Sequence, residues 1–101
     1  MSANDSEYSV AASPLPHEHV IFTDLDGLDG VLVDLNTKKY YQLNETASLI
    51  WRGLEKHLPV SSIAKEMTER YEVTPERALA SIDTALRRFA AQKLIGPRNA
   101  E

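Results

Sequence analysis

Cysteine is absent from the 101 residues. That excludes a disulfide framework, a thiolate nucleophile and any Cys-ligated zinc or iron–sulfur centre. Long apolar runs are absent as well, and none approaches the ~18 residues that suggest a membrane span. No basic region followed by an apolar core opens the chain, so no secretory signal is expected and the expected location is the cytoplasm. The length itself allows one domain of ordinary size and leaves no room for a second catalytic lobe.

A third absence is local. The first 34 residues contain seven acids and no Lys or Arg. The remainder holds eleven bases against eight acids, so the formal net charge of −4 conceals two halves of opposite sign. Nucleic-acid binders usually carry a clear basic excess, because neutralising phosphates drives their association. Here the modest excess sits beside an acidic half, which argues against that partner.

What is present falls into an ordered pattern. Residues 1–16 are small and polar and read as a disordered arm, followed by a domain at 17–96 and a tail at 97–101. Val20-Ile21-Phe22-Thr23 is β-rich and stops at a Gly/Asp cluster. Val31-Leu32-Val33-Asp34-Leu35 follows, with Val31, Val33 and Leu35 on one face, and Lys39-Tyr40-Tyr41-Gln42-Leu43 is a third strand. The short connections predict an antiparallel meander, which needs a helical partner to be stable.

Three helices are then predicted. Asn44 is a cap for one bearing Ala47, Ile50, Trp51, Leu54 and Leu58 on one face, ended by Pro59. Ser61 or Ser62 can cap a second, with Ile63, Ala64, Met67 and Tyr71. Thr74-Pro75-Glu76 starts a third, whose apolar residues are Ala78, Leu79, Ile82, Ala85, Leu86 and Phe89, ending near Lys93. The expected class is α+β, a winged helix-turn-helix-like βββααα chain with a three-stranded antiparallel sheet followed by a three-helix bundle.

Candidate catalytic arrangements fail on inspection. Val20 to Gly27 looks like the first motif of haloacid-dehalogenase-type phosphatases, with Asp24 and Asp26 as the acid pair. The later βα units, lysine and second acidic pair of that family have no place in the helical C-terminal half. Asp24, Asp26 and Asp29 read instead as exposed turn residues. The EF-hand pattern fails too, because its glycine position holds Asp29. His17 and His19 lack further ligands nearby, and no Ser-His-Asp set is readable around Ser61 and Ser62. No metal, cofactor or enzymatic activity is expected.

The informative stretch runs from Asp34 to Trp51: two tyrosines, Leu43-Asn44, a small residue, then Ile50-Trp51. Downstream come Val60-Ser61-Ser62-Ile63-Ala64, Tyr71-Glu72-Val73, and Phe89 through Leu94-Ile95. In order and spacing these resemble the PqqD family, the peptide-recognition chaperones (RiPP recognition elements) of ribosomally made, modified peptides. The match is nearest to the stand-alone proteins of lasso-peptide pathways. Phe89 stands where leucine is common and Lys93 where glycine is common.

The resemblance implies a mechanism. A leader peptide of a precursor adds as a strand along the third strand and lies between it and the third helix, for presentation to a leader peptidase or radical-SAM maturase. The implied edge is Lys39, Tyr40, Tyr41, Gln42 and Leu43. On the helix, Leu79, Ile82 and Leu86 are candidate wall residues, with Asp83, Arg87 and Ala90 beside them; Arg87 and Arg88 could meet acidic leader residues and Asp83 a basic one. Tyr40 and Tyr41 should point to opposite faces, and Trp51 should anchor the core. A winged-helix nucleic-acid binder, with the third helix as reading helix, is the competing class.

Overall fold

The β-rich stretches pair as their short connections require. In a computed structural model, residues 14–25 and 29–96 are described. Strand β1 is Leu15–Pro16, β2 Val20–Asp24, β3 Gly30–Asp34 and β4 Lys39–Leu43. Strands β2, β3 and β4 form an antiparallel sheet in that order, with Val20 opposite Asp34 and Leu32 opposite both Phe22 and Tyr41. The helices are α1, Glu45–Glu55, α2, Val60–Arg70, and α3, Pro75–Ala91, followed by a two-residue strand β5, Ile95–Gly96.

Strands β1 and β5 pair antiparallel, and the His17 N–H donates to the Leu94 carbonyl at 3.0 Å. The last residues of the expected arm therefore belong to the fold: Pro14 is buried and Leu15–Pro16 is half-buried strand. The rest of that arm, the tail at 97–101 and Asp26 lie outside the described residues.

Val31, Val33 and Leu35 share one face, as expected, and it is the other face of β3 that turns inward. Gly30, Leu32 and Asp34 are buried, Val31 and Val33 are half-buried and Leu35 is exposed. Apolar residues occupy both faces of this strand, so alternation alone does not choose between them. What permits the observed choice is local satisfaction of Asp34, whose Oδ1 accepts the backbone N–H groups of Asn36 at 2.9 Å and Thr37 at 3.2 Å. The turn then closes through the Lys38 N–H on the Asp34 carbonyl, with Lys38 at φ 65°.

Helix ends follow recognisable chemistry. Asn44 Oδ1 accepts the Ala47 N–H at 2.9 Å and Thr74 Oγ1 accepts that of Arg77 at 3.2 Å. The serines expected to cap α2 lie inside it: Pro59 is the cap residue, and its carbonyl takes the Ser62 and Ile63 N–H groups. Helix α3 stops two residues before Lys93, which takes the left-handed conformation, φ 60°. The Leu94 N–H then reaches back to the Phe89 carbonyl and the Lys93 N–H to that of Ala90, both at 2.9 Å.

Trp51, Leu32, Ile50, Leu54, Ile63, Ile82, Leu86 and Leu94 are fully enclosed in one core between sheet and helices. Trp51 anchors it, meeting Phe89 edge to face and donating its indole N–H to Glu55 at 3.0 Å. Gly53 admits Ile63 so closely that a Cβ there would stand 2.7 Å from its side chain. Leu79, expected on the apolar face of α3, is 42% exposed.

Candidate peptide-binding groove

Among the described residues strand β4 has one neighbour, β3, and its other side is a sheet edge. Such an edge presents backbone N–H and C=O groups that an added strand can pair with. Opposite this edge, across a cavity of about 540 Å³, stand Ala85, Arg88, Phe89 and Gln92 of α3. Tyr40, Tyr41, Gln42 and Leu43 form the sheet side, Asn44 and Ala47 the α1 side, and Asp29 also lines the cavity.

Two further cavities extend it. One, reached past Tyr41 and Gln92, holds His17, His19, Asp34, Lys39 and Lys93. The other continues past Asn44, Ala47, Ala85 and Arg88 between α1 and α3, to Ser81 and Arg77. The first cavity shares lining residues with each of the other two and so lies between them; the three are together termed the groove.

Helix geometry explains which α3 residues line it. At ~100° per residue, Arg77, Ser81, Ala85, Arg88 and Gln92 fall on one flank of the core stripe. Ala78, Ile82, Leu86 and Phe89 form the stripe, and all four are buried. Of the helix residues expected to touch a peptide, Ile82 and Leu86 are therefore interior, with 1% and 0% exposure. Asp83 and Ala90 lie on the other flank, as does Leu79, which borders a separate cavity with Ser61, Ala64, Lys65 and Thr68 of α2. Arg87 pairs with Asp83 at 2.8 Å, away from the groove. Periodicity identifies the stripe but not the flank facing the sheet, because that depends on where α2 packs. The signal available in the sequence was the row of small and polar residues from Arg77 to Gln92.

Along β4, Leu43 is buried in the core and the two tyrosines take opposite faces, Tyr40 being 73% exposed while Tyr41 packs on the core. Lys39 borders the His-containing end of the groove.

The charges near the groove are set by local contacts. Burial opposes the Asp34 charge, yet the amides of Thr37 and Asn36 and the nearby His19, 3.8 Å away, outweigh it and hold the carboxyl below its ordinary value. Burial, reinforced by its acceptor Glu45, raises the Tyr71 hydroxyl. That hydroxyl donates to Glu45 Oε2 at 3.0 Å and ties the start of α1 to the end of α2. His17 and His19 stack with centroids 5.3 Å apart, and among the described residues no group of three His, Asp or Glu side chains could hold a metal ion. Asp24 is exposed, as expected, but it closes strand β2 opposite Gly30 rather than lying in the turn, and it pairs with Arg52 at 3.0 Å.

Two solved structures share this fold. The chain superposes with a TM-score of 0.75 on TbiB1 in complex with the TbiA(beta) leader peptide, at 23% identity, covering 86% of this chain and 98% of that one. It superposes equally, with a TM-score of 0.75, on lasso peptide synthetase B1 complexed with the leader peptide, at 25% identity over 83% of this chain and 98% of that one. No curated protein sequence matches the chain. The profile of the PqqD family, described as coenzyme PQQ synthesis protein D, matches residues 29–95, which include the β3–β4 hairpin, all three helices and the groove between them: the chain belongs to the PqqD family.

Proposed function

We propose that this protein captures the leader of a ribosomally made precursor peptide by strand addition to β4 and presents it to a separate processing enzyme. The observation that carries this reading is the open β4 edge facing α3 across a peptide-sized groove. Both solved neighbours are, by name, leader-peptide complexes. Backbone pairing with Lys39–Leu43 supplies about 0.5–1.5 kcal/mol per hydrogen bond, and each apolar anchor against Tyr41 or Phe89 about 1.5–3. Several such bonds with two anchors can offset the ~2–5 kcal/mol needed to order a disordered leader, the cost of association being additional.

PqqD-like recognition elements are binding partners of enzymes rather than catalysts, and the groove's side chains suit binding. No observation favours nucleic acid: Arg87, on the outer side of α3, is paired with Asp83, and the sheet half is acidic. No helix among the described residues is long and apolar enough to cross a membrane. Calorimetric titration with the leader of the precursor encoded beside this chain tests the proposal. Saturable binding, lost with a scrambled leader, is expected; equal binding of leader and scrambled peptide contradicts it.

A further inference from the structure

The arginines of the helices divide by partner. Arg52, Arg70 and Arg87 sit outside the groove's α3 wall, and each pairs with a carboxylate: Asp24, Glu66 and Asp83. Arg77 and Arg88 line the groove, and no carboxylate among the described residues lies within ion-pair distance of either. Lys39 and Lys93 border its other end, also without an ion-pair partner among the described residues. The acids on the same surface are two, Asp29 and Asp34, and the carboxylate of Asp34 is engaged by the turn amides. A chain of net charge −4 thus carries a groove with a basic surplus.

Resting on the strand-addition reading, we infer that the groove selects acidic peptides, with Arg88 and Arg77 receiving carboxylate side chains. Guanidinium forks pair with carboxylates through two parallel hydrogen bonds, which gives direction as well as attraction. The two arginines are eleven residues apart on one helix face, about 16 Å at 1.5 Å per residue. An extended peptide covers that distance in about five residues. Because alternate side chains face the same way, the two acids belong about four or six positions apart. Ala47, Ala80, Ser81, Thr84 and Ala85 are small and keep this part of the groove open.

A displayed library of random 16-residue peptides, selected on the full-length protein, tests the assignment. Enrichment of Asp and Glu over Lys and Arg is expected, and the protein's overall negative charge works against obtaining it non-specifically. Acid-bearing peptides should bind the R77Q/R88Q variant about three- to tenfold more weakly, and the R87Q variant unchanged. Unchanged Trp51 fluorescence establishes that the variants are folded. Peptides that shift β4 amides without acid enrichment, or that bind the double variant equally, overturn the charge assignment and leave the strand-addition reading standing. If no selected peptide shifts β4 amides, strand addition fails and the assignment fails with it.

Discussion

Trp51 meets Phe89 edge to face, with 5.2 Å between ring centroids and 88° between ring planes. The contact joins α1 to α3 beneath the groove, because Phe89 is both core and groove floor. Phe89→Leu removes the aromatic pair and part of the filled volume, and should lower stability by about 1–2 kcal/mol. Trp51 is the single tryptophan, so its fluorescence follows unfolding directly. An unchanged denaturation midpoint would show that the pair contributes nothing.

Lys93 occupies a left-handed backbone position, φ 60°, at the end of α3. A side chain is disfavoured there by about 1–2 kcal/mol, part of which glycine regains and part of which its greater unfolded freedom offsets. Lys93→Gly should therefore stabilise the domain by about 0.5–1 kcal/mol. A fall in the thermal midpoint would mean that contacts of the lysine side chain outweigh the backbone term.

Asp34 makes stability depend on pH in a defined direction. Its folded carboxyl titrates below the ordinary value of 3.8, so its contribution is present above that value and is lost as pH falls through the lower folded one. Asp34→Asn should consequently be less stable than the parent at neutral pH, the two converging as the pH falls below 3.8 through the lower folded value. Urea midpoints across that range measure it. A gap that widens on acidification would reverse the sign.

Ser48 is fully buried in α1, and its hydroxyl finds no hydrogen-bond partner among the described residues. Leaving a buried polar group unsatisfied is unfavourable by about 1–3 kcal/mol, and alanine is the better helix former. Ser48→Ala should raise stability by about 1 kcal/mol. Destabilisation in equilibrium unfolding would reveal a partner for the hydroxyl.

Much of this architecture was legible in the residues. Asn44 and Thr74 announce two helix starts because their side chains can do little else beside an apolar-periodic run. The divergence of Tyr40 and Tyr41 was legible from strand alternation, whereas the role of the β4 edge came from the family resemblance. What escaped local reading depends on packing. Leu79 matches the helical period but lies on the flank beside α2, and Arg88 rather than Arg87 faces the groove. One helical residue is ~100° of rotation, enough to exchange one flank for another. Val31 and Leu32 pose the same problem in a strand, where the buried face was settled by how Asp34 satisfies its carboxylate in the turn.

Strand addition to β4 is the central claim, and amide NMR of the protein titrated with its leader peptide tests it most directly. The account predicts the largest shifts, with slowed hydrogen exchange, in Lys39–Leu43, accompanied by shifts along Ala85–Gln92. Shifts confined to α2 and the Leu79 flank, with β4 amides unmoved at saturation, would contradict it.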